Sequence, residues 1–281
     1  MSDHPLPPGY GAGLLRDAVT EDLAGGVDVT SVATIPAGHL STGQFVSRGH
    51  GTVAGLALLL PALAELLDEV VAAVDDGARV GPGDVLITVT GPTRTLLTLE
   101  RSALNLLGHL SGIATLTSRW VEAIAGTGAQ IRDTRKTTPG LRLAEKYAVR
   151  CGGGTNHRMS LSDEALIKDN HVVATGSITA ALDAVRAQFP GLACEVECDT
   201  LAQVAEAADA GAEMILLDNM DVVTTGEAVR LVGGRSRTEA SGGLTLESAR
   251  EMAMTGVDYL AVGALTHSAP VLDIGLDLGD A

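Results

Sequence analysis

Aromatic side chains are nearly missing from this chain: two Phe, three Tyr and one Trp in 281 residues, or 2%. Any core must therefore be aliphatic, and a 46% hydrophobic content is enough to build one. Cysteine is scarce and odd in number, with only Cys151, Cys194 and Cys198. That excludes a disulfide framework and favours a reducing compartment, so a cytoplasmic protein is expected. Cys194 and Cys198 sit in the apolar run ACEVEC with no further Cys or His nearby to complete a tetrahedral metal set, so core packing is expected for both. Positive charge is also short, with 19 Lys and Arg against 35 Asp and Glu and a net charge of −16. Such a balance argues against a nucleic-acid partner. Long hydrophobic runs are absent too. The longest, Val53 to Ala64, contains Pro61 and stops at Glu65, well short of the roughly 20 residues of a membrane span. The opening MSDHPLPPGYG has neither a basic start nor an apolar stretch, and no leader is expected.

What the chain does have is glycine, 34 residues of it, consistent with many tight turns. Its pattern changes near residue 112. Upstream, β-like pieces at 43–47 and 85–89 alternate with Gly/Pro turns. One apolar helix is predicted over about 57–74, and a second from Glu100 that pauses at Ser111-Gly112 and resumes through Trp120. This half reads as a small α/β sandwich. Downstream, apolar runs at 130–133, 165–168, 194–197, 214–218, 238–241 and 259–263 each end in a polar or small residue, with helical stretches between most of them. One of those helices, 200–209, opens on a Thr200/Gln203 capping-box pattern. Strand and helix in alternation predict βα units around a parallel sheet, and six strands are fewer than the eight of a closed barrel. The expected architecture is an α/β fold: an N-terminal α/β sandwich over 1–112 and an incomplete, open α/β barrel over 113–281, whose C-terminal tail packs back on the first domain.

The scarce cations are concentrated. All three lysines, Lys136, Lys146 and Lys168, lie in one short window, and from Arg132 to Arg158 seven basic residues face two acidic ones, a local charge of +5. A solvated helix face and an anion-binding site are both readings of such a run. Two placements favour the second: Arg135 and Lys136 directly follow a strand, and Lys168 ends the apolar strand 165–167. A lysine at the end of a buried strand either points into a site or leaves a costly half-buried charge. Glu197 and Asp218 end adjacent strands and could serve as acid and base, metal ligands, holders of sugar hydroxyls, or partners of the nearby cations. Ser241-Gly242-Gly243 and Val262-Gly263-Ala264 follow the last two strands, where backbone amides commonly hold phosphate. Gly152 to Gly154, which follow a helical stretch, read instead as a helix-ending turn.

The residues DTRKTTPG (133–140), EKYAV (145–149), GTNHRM (154–159), LIKDNH (166–171), EVE (195–197), LDNM (217–220), EASGG (239–243) and VGALTHS (262–268) resemble those of the quinolinate phosphoribosyltransferases, the decarboxylating enzymes of de novo NAD synthesis. Glu21-Asp22-Leu23, Asp28-Val29-Thr30 and Glu100-Arg101 with Asn105 extend the likeness upstream. The resemblance implies transfer of phosphoribose from its pyrophosphate to quinolinate, giving nicotinate mononucleotide, pyrophosphate and CO₂. It also implies Mg²⁺ and a homodimer with shared active sites, and leaves open whether the dimers assemble further. In this sequence it would put Thr134, Arg135, Lys136, His157, Arg158 and Lys168 around quinolinate, joined by Arg101 from the neighbouring subunit. Glu197 and Asp218 would face ribose and Mg²⁺, directly or through water. Ser241, Gly242, Gly243, Val262, Gly263 and Ala264 would hold the 5′-phosphate, assisted by His267. Lys136, Lys168, Glu197 and Asp218 are the expected catalytic residues. Three alternatives stay open on the residues alone: a sister transferase for nicotinate or another small anion, a Schiff-base aldolase using a strand-end lysine, and a non-catalytic phosphosugar-binding protein.

Overall fold

The computed structural model describes residues 5–280. Residues 1–4 of the segment read for a leader, and residue 281 at the end of the expected second domain, lie outside the described residues. Along the chain, helices α1 (Tyr10–Leu23) and α2 (Val29–Thr34) precede strands β1 (Leu40–Ser47) and β2 (Gly51–Thr52). Then come α3 (Leu56–Ala64), β3 (Glu69–Ala72), β4 (Arg79–Val80), β5 (Val85–Pro92) and α4 (Thr93–Ala123). The chain continues through β6 (Gln130–Arg132), α5 (Arg142–Cys151), β7 (Ala165–Ile167), α6 (Asp169–Thr175), α7 (Ile178–Gln188), β8 (Cys194–Cys198), α8 (Leu201–Asp209), β9 (Met214–Asp218), α9 (Val222–Val232), β10 (Arg237–Ser241), α10 (Leu246–Ala253), β11 (Tyr259–Ala261) and α11 (Ala264–His267). A last strand, β12 (Ile274–Asp280), closes the described chain.

Two compact units result. Among the described residues, one comprises those up to Ser118, Thr138–Gly153 and those from Ser268 onward; the other comprises Arg119–Thr137 and Gly154–His267. In the first, the antiparallel sheet β12-β1-β5-β3 packs with helices around a largely aliphatic core of Leu15, Leu59, Leu86, Ile87 and Leu107, joined by Phe45. The C-terminal strand is part of this sheet, pairing with β1 from Ser47↔Ile274 to Ser41↔Asp280.

Two helices depart from the sequence reading. The predicted 57–74 helix stops at Ala64, and 69–72 form β3, where β-branched Val70 and Val71 pair with Val89 and Thr88 of β5. The predicted pause at Ser111-Gly112 does not occur, and α4 runs unbroken for 31 residues. Gly112 serves close approach: a Cβ there would stand 2.2 Å from the Pro270 carbonyl oxygen, so the glycine admits the returning chain.

In the second unit all six strands are parallel, in the order β6-β11-β10-β9-β8-β7, with buried Ile131, Ile167, Val196, Ile215 and Leu260 between them. The outer strands β6 and β7 do not pair with one another, so this is an open, incomplete α/β barrel. Cys194 and Cys198 are fully buried in β8. The Thr200–Gln203 capping box is formed at the start of α8, and Gly152 caps the end of α5. A parallel sheet gathers every strand's C-terminal end on one edge, and that edge is where the polar strand-end residues collect.

Candidate active site

Polar residues at or next to the C-terminal ends of parallel strands emerge where the sheet meets solvent. β7 therefore delivers Lys168, β8 Glu197, β9 Asp218 and β10 Ser241, with Asp218 and Ser241 opposite one another in register. A cavity of about 630 Å³ opens there. Thr134, Arg135 and Lys136 line it from the loop after β6, and His157 and Arg158 from the loop before β7. Lys168, Glu197 and Asp218 come from the strand ends, and Ser241, Gly242 and Gly243 complete the wall. An adjoining recess of about 190 Å³ shares Thr134, Lys136 and 241–243 and adds Val262, Gly263, Ala264 and His267. Arg101 lines instead a cavity of the first unit, beside Glu21, Asp22, Asn105 and His109.

The two charged walls meet. Lys168 Nζ is ion-paired with Glu197 Oε2. The main-chain N–H of Lys168 donates to His171 Nδ1 at 2.9 Å, which fixes the backbone from which the lysine projects. Lys136 is held by its own backbone: its N–H donates to Thr134 Oγ1 at 3.0 Å, and its carbonyl accepts from Thr266 Oγ1 at 2.8 Å. Gly263 lies close by, since a Cβ there would be 3.0 Å from Lys136 Cδ and 3.3 Å from His267 Nε2.

Beneath the cavity lies a buried charge network, only part of which the sequence reading picked out. Asp133 accepts from the His157 backbone N–H at 2.8 Å and from Asn156 Nδ2 at 2.6 Å, which ties down the loop that presents His157. His157 Nδ1 accepts from the Arg158 N–H at 2.7 Å, so its ring proton is on Nε2. That nitrogen is 2.8 Å from Glu195 Oε2 and 3.5 Å from Glu239 Oε1. The Glu195 contact is an ion-pair distance without hydrogen-bond alignment, because neither Glu195 oxygen meets a donor in suitable geometry. Glu239 Oε2 accepts from Arg132 Nη1 at 2.8 Å, and the Arg132 guanidinium lies 4.7 Å from the centre of the Tyr259 ring. His157 is thus oriented from within, its Nδ1 by the Arg158 N–H and its Nε2 turned toward Glu195 and Glu239.

Glu195 and Glu239 received no role from the sequence. The available signal was a glutamate in the interior of a strand, in Cys194–Cys198 and again in Arg237–Ser241. Burial pushes the Glu239 carboxyl up to about 7, with the charge of Glu195 adding to the effect and His157 and Arg132 opposing it. Burial likewise raises Glu195 to about 7, against the pull of Arg132, Arg158 and Lys168. A carboxyl with a raised folded-state pKa stabilises the fold below its unfolded pKa, near 4.5, and loses that contribution as pH rises through about 7. The melting temperature of Glu239→Gln is therefore expected to gain on that of the unsubstituted protein between pH 5 and 8. The gain should be on the order of several °C, since one pKa unit is about 1.4 kcal/mol and each kcal/mol moves a 150–250-residue domain by about 2–4 °C. Melting curves at matched ionic strength test this; a pH-independent difference would mean that Glu239 titrates normally.

Two donor sets come into question for a metal. The carboxylates of Glu197 and Asp218 are half-buried at adjacent strand ends and offer only oxygen, the chemistry that Mg²⁺ prefers. A second group, His157, Glu164 and Glu195, has donor atoms within 4.8 Å of one another, but the Nδ1 of His157 is taken by the Arg158 N–H and its Nε2 carries the proton, so the imidazole as held here has no lone pair for a metal.

A cationic wall, an acidic wall and a glycine-lined recess on the C-terminal edge of an open parallel barrel define an α/β-barrel enzyme for a small, multiply charged substrate. Models of the quinolinate phosphoribosyl transferase N-terminal and C-terminal domains match residues 28–111 and 113–277. The nicotinate-nucleotide pyrophosphorylase [carboxylating] of Mycobacterium leprae is 54% identical over 271 residues, covering 94% of this chain and 95% of that protein. A probable enzyme of the same name from Bacillus subtilis is 43% identical, covering 94% and 92%. Among solved structures, the nicotinate-nucleotide pyrophosphorylase of Francisella tularensis superposes with a TM-score of 0.93 at 33% identity, covering 99% of this chain and all of that one. The chain belongs to the quinolinate phosphoribosyltransferase family. That membership makes it a phosphoribosyltransferase and removes the aldolase and non-catalytic alternatives. Among the described residues no helix is long and apolar enough to cross a membrane.

Proposed function

We propose that this protein transfers the phosphoribosyl group of phosphoribosyl pyrophosphate to quinolinate with loss of CO₂, yielding nicotinate mononucleotide and pyrophosphate in the cytoplasm. The observation that carries the reading is the meeting of Arg135, Arg158 and Lys168 with Glu197 and Asp218 around one cavity. Quinolinate brings two carboxylates, which suit guanidinium and ammonium groups. Its pyridine nitrogen already has a lone pair, so no base is needed to begin. The nitrogen attacks the anomeric carbon, the N–C bond forms, and the C–O bond to pyrophosphate breaks with the electron pair leaving on oxygen.

As that bond stretches, the anomeric carbon becomes cationic and Glu197 and Asp218 lie on the side where positive charge develops. Holding both reactants in line is worth as much as about 7–11 kcal/mol in favourable cases. Lys136 and Lys168 offset charge on the leaving pyrophosphate, and the recess of residues 241–243 and 262–264 anchors the 5′-phosphate. Mg²⁺, when held by Glu197 and Asp218 directly or through water, would neutralise pyrophosphate charge. After alkylation the positive ring nitrogen withdraws the electrons of the adjacent carbon–carboxylate bond. CO₂ departs, the pair stays on the ring carbon, and a proton from water replaces the carboxyl group. Arg101 is assigned to the substrate of the partner subunit in a homodimer.

Arg158 is anchored by Nη1 donating to the Glu164 carbonyl at 2.8 Å. Arg135→Ala and Arg158→Ala are each expected to raise the quinolinate Kd by about 30-fold or more, the cost of truncating one partner of a hydrogen-bonded charge pair, while the donor KM changes little. Unaltered quinolinate binding in both variants would remove them from the site. The activity itself is tested by offering quinolinate and nicotinate in parallel with the donor and Mg²⁺. CO₂ release and mononucleotide formation from quinolinate are expected; turnover of nicotinate alone would point to the sister transferase.

A further inference from the structure

Asp218 and Asn219 both line the cavity, although neighbouring residues of a strand normally point to opposite faces. The backbone explains the exception. Asn219 has φ +53°, and apart from Ala24 no other non-glycine residue among those described adopts a positive φ. The left-handed step at the end of β9 turns the chain so that successive side chains face the same way, a conformation that Asn tolerates better than most residues.

Three contacts hold it there. The Asn219 N–H donates to the Ser241 carbonyl at 2.9 Å, joining the end of β9 to the end of β10. Its side-chain Nδ2 donates to Asp218 Oδ2 at 2.6 Å. Its Oδ1 lies against Gly242 so closely that a Cβ on that glycine would be 2.2 Å away.

We propose that Asn219 is the positioning residue of the acidic wall: it clamps one oxygen of Asp218 and ties that carboxylate to the Ser241-Gly242 turn. The inference rests on Asp218 facing the phosphoribosyl donor. A neutral amide can orient a carboxylate without discharging it, so Asp218 keeps its negative charge while losing rotational freedom. The backbone strain at 219 is then the cost of aiming two adjacent side chains into one site. The same link makes the donor's ribose and 5′-phosphate contacts depend on one another, because the residue that orients Asp218 also packs on the glycine of the phosphate recess.

Three variants of the full chain test this. Asn219→Gly removes the amide but suits the left-handed backbone better than Asn does. Asn219→Asp keeps size and backbone tolerance but puts an acceptor where Asp218 needs a donor. Asp218→Ala calibrates the site. Donor affinity is read by equilibrium titration of phosphoribosyl pyrophosphate with Mg²⁺, alongside kcat/KM for each substrate and the melting temperature.

Asn219→Gly is expected to melt no lower than the unsubstituted protein and to lose about tenfold in donor affinity and donor kcat/KM, the size of a hydrogen bond to a charged group. Its quinolinate Kd should stay unchanged, and Asn219→Asp should lose more than Asn219→Gly. If Asp218→Ala weakens the donor and Asn219→Gly does not, the positioning role is wrong while the site reading stands. If Asp218→Ala leaves donor binding intact, both fall. A lower melting temperature with equal losses for both substrates would make Asn219 structural only.

Discussion

Replacing Lys168 with Ala is expected to lower kcat by about 10² to 10³, the range seen when one group stabilising transition-state charge is removed. The lysine follows β7 directly, its main-chain N–H is fixed by His171, and its ammonium is paired with Glu197. Its loss acts twice. Leaving-group charge goes unmatched, and Glu197, whose side chain is only 15% exposed, keeps a negative charge with its partner gone. The field of Lys168 also opposes the upward push on the Glu195 carboxyl, so the buried network below should take up a proton more readily in the variant.

Lys168→Arg is not expected to restore the rate, since a planar guanidinium cannot take the place of a compact ammonium in this pair. Because Lys168 and Glu197 act as one unit, the double variant Lys168→Ala/Glu197→Gln should lose much less than the product of the single losses. Single-turnover kinetics with saturating donor and quinolinate measure this. A Lys168→Ala protein of near-normal turnover would take the lysine out of the chemistry, whatever it does to binding.

How much of this arrangement is legible in the sequence depends on which force sets each feature. The barrel strands β7 and β9 can be read because each is a short apolar run met at its end by a charged residue, and the alternation of such runs with helical stretches places the others. The strand-end positions of Lys168, Glu197 and Asp218 follow from the same rule. Local pattern fails where a contact distant in sequence decides. Ser111-Gly112 looks like a helix break but is an opening for Pro270. Residues 69–72 look helical next to the apolar run before them, and β5 recruits them as a strand. Glu195 and Glu239 have meaning only once Arg132 and His157 are folded against them. Nothing in the tetrapeptide LDNM announces that Asn219 adopts a left-handed backbone; that conformation exists because Ser241 and Gly242 are there to receive it.

The Ser241–Gly243 turn offers a matched pair of substitutions with different expected outcomes. Gly242 and Gly243 both have positive φ, +91° and +62°, so alanine at either pays for a left-handed backbone, about 1–2 kcal/mol. Their surroundings differ. A Cβ on Gly243 meets nothing within 4 Å, whereas one on Gly242 would stand 2.2 Å from Asn219 Oδ1 and 3.1 Å from its main-chain nitrogen. The Gly242 angle is also outside the narrow left-handed well, near +50° to +70°, that L-residues occupy.

Gly243→Ala should therefore cost a few °C of melting temperature, at about 2–4 °C per kcal/mol, with a modest loss of activity. Gly242→Ala must drive Asn219 off Asp218, pull the ends of β9 and β10 apart, or both. It is expected to reduce kcat/KM for the phosphoribosyl donor by about 100-fold, and the quinolinate Kd should move far less, since Arg135, Arg158 and His157 come from other loops. Such a loss corresponds to about 2.7 kcal/mol of transition-state stabilisation, two decades at 1.36 kcal/mol each. Equal damage from the two alanines, or equal loss for both substrates, would mean that the turn acts through stability alone and does not link the acidic wall to the phosphate recess.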